Sequence, residues 1–177
     1  MKKIWLLVFS FCLTGFAMQS QTINPVIKDF GGMLEVPLAV AKPDPSINYK
    51  IALEIGEKIT NGKEVNPEIE AIARLYNLLS YSGVPQDHIH IAVIIYHSAT
   101  WIILNDEEYH KKFGVDNPNT KAFEEMADAG IEFFVCGQTF TVANLKPEQI
   151  NPHVKIALSR LTRLSTLEMQ GYVNFKI

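Results

Sequence analysis

A single α/β domain with a mostly parallel sheet is predicted by three features of the 177-residue sequence. His90–Tyr96 (HIAVIIY) and Ile131–Val135 (IEFFV) are almost wholly apolar, the pattern of strands buried on both faces of a helix-covered sheet. Segments with apolar residues at helical spacing lie between and beside them. Strands alternating with helices imply βαβ units joined by right-handed crossovers, and hence a three-layer α/β/α sandwich. Composition agrees: 47% hydrophobic and 20% charged residues exclude a collagenous, low-complexity or wholly disordered chain. A formal charge of −3 argues against nucleic acid as a partner, which would need clustered Lys and Arg.

The first twenty residues read as a signal peptide rather than part of the fold. Met1-Lys2-Lys3 is basic, Ile4–Phe16 is mainly apolar, and Gly15, Ala17 and Ser20 are small residues of the kind found at cleavage sites. The apolar stretch falls short of the roughly 20 residues of a membrane span, so no span is expected once it is removed. Cleavage would leave about 157 residues, 14 basic against 19 acidic, a charge of −5, with Cys136 as the sole cysteine. No internal disulfide is then expected. An export signal with no Asn-x-Ser/Thr acceptor points to a bacterial periplasm.

Residues 21–48 read as an extended arm. Gly31-Gly32 and Pro25, Pro37, Pro43 and Pro45 oppose a long helix, while Val26, Ile27, Phe30, Leu34, Val36, Leu38 and Val40 give it apolar groups to pack against the domain or a neighbouring subunit. The domain proper spans 49–177. Tyr49–Ile55 alternates in the manner of an edge strand. A helix over 67–82 presents Ile69, Ile72, Leu75, Tyr76 and Leu79 on one face and stops at Gly83. After the His90–Tyr96 strand, a polar segment over 99–116 suggests a short helix around Trp101–Leu104 and irregular chain beyond. Helix 118–129, strand Ile131–Val135, helix 152–169 and strand Tyr172–Ile177 complete the series. Asn66-Pro67, Asn117-Pro118 and Asn151-Pro152 look like helix starts, with Asn as cap and Pro at the first helical position.

In an open α/β sheet, ligands bind beyond the carboxyl ends of the strands. His97 follows the HIAVIIY strand and Cys136 follows IEFFV, so parallel strands would bring both to one rim. Gly137 permits a sharp turn beside the sulfur. N–H groups of a helix start over Gly137, Gln138 and Thr139 would favour a thiolate, a nucleophile or persulfide carrier. Free cysteine is equally at home in a core, and His97 is as readily a structural histidine as a polarising group. Trp101 beside the rim suits a ligand pocket or an interface. His88 and His90 share a strand face, but no third ligand stands at a metal-site spacing, so no metal is expected. G-x-G-x-x-G, a phosphate loop, G-x-S-x-G and C-x-x-C are all missing. No cofactor is expected, and nucleotide hydrolysis, hydride transfer, serine hydrolysis and dithiol exchange are disfavoured.

From about Tyr49 to Ile177 the sequence resembles the DsrE/DsrF-like family of small sulfur-relay proteins. The resemblance rests on HIAVIIYHSA, FGVDNPNTKAFEEMADAGIEFFVCGQT and LKPEQINPHVKIALSRLTRLSTLEMQGYVNF, above all on the Gly-strand-Cys-Gly-Gln run and on Gln170-Gly171-Tyr172. It implies a mainly parallel sheet of about five strands, assembly into homo-trimers or hexamers, and sulfur carried as a persulfide on Cys136 between donor and acceptor proteins. Two uses of the rim follow as expectations. In one, Cys136 handles sulfane sulfur with His97 assisting. In the other, the rim around His97, Trp101 and Cys136 is a non-catalytic binding pocket of an oligomeric module. A weaker third use is a redox sensor whose lone thiol pairs between chains.

Overall fold

The computed structural model describes residues 22–57, 59–175 and 177; the expected signal peptide lies outside them. Five strands, β1 (Tyr49–Ile55), β2 (Ile89–Ile95), β3 (Glu132–Cys136), β4 (Val154–Ala157) and β5 (Val173–Asn174), form one all-parallel sheet in the order β4-β3-β2-β1-β5. The chain winds outward from β1 to β4 and then returns to add β5 on the other side of β1. Helices α1 (Pro67–Tyr81), α2 (Asp106–Phe113), α3 (Thr120–Asp128), α4 (Gly137–Val142) and α5 (Arg160–Met169) fill the connections. No helix among the described residues is long and apolar enough to cross a membrane.

The strand period of two sorts the sheet residues into two layers. Ile51, Leu53, Ile55, Ile91, Val93, Ile95, Phe133 and Val135 face a large core with Ile69, Ile72 and Tyr76 of α1 and Phe123 and Met126 of α3. Phe123 and Phe133 meet edge to face, their centroids 4.8 Å apart, a favoured aromatic geometry. The opposite layer is thin: Ala52, Ala92, Ile94 and Phe134 pack against Leu167 of α5.

Several expectations are corrected. β1 is interior, between β2 and β5; the polar alternation that suggested an edge comes from Lys50, which bonds the Gln170 carbonyl, and Glu54, which enters an ion pair described below. The segment 152–169 is not one helix. Val154–Ala157 pairs in parallel with Phe133–Cys136, and only from Arg160 does helix begin, capped by the Ser159 hydroxyl on the Thr162 N–H. Four residues are too few for strand alternation to stand out from a helical period, and pairing with an apolar neighbour outweighs propensity. Only Asn66-Pro67 opens a helix directly. Asn117 instead cross-braces loops, donating to the Ile102 and Leu104 carbonyls, and Asn119 caps nothing with its side chain. Asn151 makes a turn into β4 by accepting the His153 N–H. The supposedly irregular stretch after Leu104 contains α2, whose acidic first turn and basic last turn complement the helix dipole. The last strand is the two residues Val173–Asn174.

Residues 22–33 of the arm lie against α1. Asn77, fully buried on that helix, accepts the Val26 and Ile27 N–H groups and donates to the carbonyls of Ile27, Phe30 and Gly31. Gly31 has φ +66°, and a Cβ there would lie 2.2 Å from the Arg74 nitrogen, so the arm can approach the helix this closely only with glycine. Beyond Met33 the arm turns outward, leaving Leu34, Val36, Leu38 and Val40 exposed.

Candidate functional site

The carboxyl ends of β2 and β3 are neighbours, and Cys136 is both the last residue of β3 and the cap of α4. By strand parity its side chain belongs to the α5 layer, not to the larger core. Gly137 opens α4 beneath the backbone of the β4 end; a Cβ there would sit 2.4 Å from the Ala157 carbonyl oxygen. Glycine is therefore what lets α4 start directly at the sulfur.

Cys136 is 6% exposed. Burial pushes its thiol up, yet donors around Sγ outweigh burial and hold it below the ordinary cysteine value: the Thr139 N–H, the Arg160 N–H, the Thr139 hydroxyl and the Gln138 N–H. The Arg160 nitrogen lies 3.2 Å from Sγ. The sulfur is thus clasped between the starts of two helices, α4 following it in sequence and α5 reaching it after β4.

The sequence-predicted residues are distributed unevenly around this centre. Gln138 and Thr139 direct their N–H groups at the sulfur, whereas Gly137 opens the helix without being one of its donors, and the exposed Gln138 also donates its amide to the Leu158 carbonyl at 3.2 Å. His97 reaches the site through its backbone, its N–H donating to the Thr139 hydroxyl oxygen at 3.3 Å. Its exposed imidazole pairs with its neighbour Ser98 at 3.4 Å. His97 has φ +51°, a left-handed conformation unusual for a residue other than glycine, forced where the chain turns off β2. Trp101 is half-buried under the Lys112 ammonium, which stands 3.7 Å from its ring centroid. His88 donates Nδ1–H to the Pro45 carbonyl. Among the described residues no three His, Cys, Asp or Glu side chains gather as metal ligands.

Three residues that sequence reasoning missed complete the rim. The Arg160 side chain crosses the end of β2, its guanidinium 4.5 Å from the Tyr96 ring centroid, and its Nε donates to Glu54 at the end of β1. The other Glu54 oxygen accepts from the Asn174 amide at 3.2 Å. These residues also line a cavity of about 320 Å³ with Gly56, Glu57, Glu68 and Phe175. It opens where the chain reverses direction between β1 and β5, the switch point at which α/β sheets bind ligands. Ser159 as a helix cap was the signal that would have placed Arg160 at a helix start.

The DsrE/DsrF-like family profile matches residues 57–176. The chain belongs to the DsrE/DsrF-like family. A solved structure of a protein of unknown function, MTH1491 from Methanobacterium thermoautotrophicum, is similar over 73% of this chain and 99% of its own, with a TM-score of 0.52 and 13% identity. At that identity the likeness supports the fold alone. No curated protein sequence matches. Membership places this DsrE/DsrF-like chain in a sulfur-relay type of family, and its five-stranded parallel sheet is the fold expected there.

Proposed function

We propose that this protein carries sulfane sulfur as a persulfide on Cys136. The observation that supports the reading best is the buried sulfur facing donors from two helix starts, which offset the cost of burying an anion. The Cys136 thiolate attacks the outer sulfur of a donor persulfide, R–S–SH. A new S–S bond forms to Cys136, the donor S–S bond breaks, and R–S⁻ leaves with the electron pair. An acceptor thiolate then attacks the outer sulfur and regenerates the Cys136 thiolate, so a cycle needs no external oxidant or metal. The donors at Sγ stabilise the anion both before loading and after delivery. His97, turned outward at the same rim, is placed to meet donor or acceptor rather than the resting sulfur.

We read the carrier as periplasmic and as a homo-oligomer. Ile156, Leu158 and Leu161, at 45%, 76% and 67% exposure, lie at and just after the end of β4, the strand at the sheet edge next to the sulfur. Exposed apolar groups beside an open edge favour covering by another chain. Mass spectrometry after incubation with polysulfide tests the carrier role. One added sulfur is expected on the wild-type protein, lost on cyanide treatment and not found in Cys136→Ser; an unmodified wild type would refute the reading. It would favour a binding module around the rim, in which Cys136→Ser leaves function intact.

A further inference from the structure

The site contains one largely buried carboxylate that the sulfur cycle does not use. Glu54 is 15% exposed, faces the α5 layer, and lies two strands away from Cys136 with β2 between them. We propose that Glu54 is a positioning residue for the Cys136 sulfur, acting through Arg160. The inference rests on the reading that Cys136 works as a thiolate.

Arg160 is the first residue of α5 and has two attachments. Its backbone N–H, one of the donors a helix leaves unpaired at its start, points at Sγ. Its side chain lies along the Tyr96 ring and ends on Glu54. Apolar packing does little to hold that first turn. The buried residue of α5 is Leu167, near its far end, whereas Leu158 and Leu161 beside the first turn are 76% and 67% exposed. Helix ends fray unless something fixes them. The contacts at its very start, where the N–H meets the sulfur, are the Ser159 cap, the Tyr96 face and the Glu54 carboxylate, while Arg163, one turn on, stacks on Phe134 and pairs with Glu132. Glu54 is itself steadied by Asn174 of β5, so the outermost strand on one side of the sheet helps aim a donor at a sulfur on the other.

Positioning and simple electrostatics predict opposite signs. As a nearby negative charge, Glu54 would disfavour the thiolate, and its removal would lower the thiol pKa while freeing a guanidinium beside the sulfur. As an anchor, its removal lets the first turn of α5 loosen and withdraws the N–H, raising the thiol pKa. The test is the pH profile of Cys136 alkylation in the full-length mature protein, checked against thiolate absorbance. Glu54→Ala is expected to move the midpoint upward and to lower the thiolate fraction at neutral pH about threefold to tenfold, the worth of one ordinary hydrogen bond, since the N–H is loosened rather than removed. Glu54→Gln keeps an acceptor for Arg160 Nε and folds with least disturbance; it shifts the profile the same way by less. In an Arg160→Ala background, Glu54→Ala adds nothing further, since the two act as one unit. A downward or absent shift in Glu54→Ala, or additive shifts in the double variant, would overturn the inference with the persulfide reading intact. A wild-type midpoint at or above the ordinary cysteine value would overturn both.

Discussion

Gly137→Ala sets two physical effects of opposite sign against each other. Gly137 is the first residue of α4 and lies outside the positive-φ region, so its backbone conformation is open to alanine. Helix propensity and the lost freedom of the unfolded chain would make the change stabilising by about 0.5–1 kcal/mol. Packing says otherwise. The added Cβ would meet the Ala157 carbonyl oxygen at 2.4 Å and the Leu158 oxygen at 3.0 Å, whereas ordinary contact begins at 3.4 Å. A backbone displacement of about 1 Å is needed, and both obstacles are main-chain atoms of the segment that pairs with β3, so no rotamer can relieve them. Overpacking of this kind costs about 1–3 kcal/mol, which exceeds the propensity gain at most of its range. The expected net is a melting temperature lower by about 2–8 °C at this chain length. The same displacement carries the Gln138 and Thr139 N–H groups away from Sγ, so the thiol pKa rises. Differential scanning calorimetry and an alkylation pH profile on the same sample check both effects. A higher melting temperature with an unmoved thiol would refute the claim that glycine is required for α4 to start at the sulfur.

Asn77→Ala removes a fully buried amide that makes five hydrogen bonds to the arm; a loss of about 2–4 kcal/mol is expected from the unpaired backbone groups left behind. Calorimetry together with limited proteolysis should show a less stable protein cut first within residues 22–33, with the Cys136 titration unchanged. The thiol also makes stability depend on pH. Its folded pKa is depressed, so its contribution is fully present above the unfolded value of about 8.5 and is lost as pH falls through the folded value. In urea titrations the stability advantage of wild type over Cys136→Ser should grow across that window as pH rises; a constant difference would contradict the depressed value.

What was legible in the sequence followed from burial on both faces. Ile91–Ile95 and Phe133–Cys136 are continuous apolar runs because helices cover them on each side, and the parallel sheet follows directly. Cys136, Gly137, Gln138 and Thr139 were found because local sequence brings them together: strand end, glycine, helix start. Arg160, Tyr96 and Glu54 were not, because each is carried to the rim by a different element. Glu54 looked like the polar position of an edge strand, and only the return of the chain to place β5 outside β1 makes that position interior. Arg160 was hidden within an apparent helix whose first third is the edge strand β4. The site is thus half local and half topological, and a single sequence reports the local half.

Burial and ionisation pull the Cys136 sulfur in opposite directions, and how they are balanced bears on what the sulfur can do. A fully exposed thiolate would be solvated by water and open to any oxidant. A buried one without donors would stay protonated and inert. At 6% exposure, with donors from α4 and α5 in place of water, the thiol is held below its ordinary pKa yet screened from solvent. On the persulfide reading the outer sulfur would extend about 2 Å beyond Sγ, at a rim where Gln138 and His97 are exposed. On that reading the inner sulfur would keep the donors and the outer one would be the atom transferred. The arrangement accordingly favours transfer of the outer atom to a docked acceptor over reaction at Sγ itself. Three of the four donors are backbone N–H groups, which the two helix starts hold in place, and the fourth is the Thr139 hydroxyl.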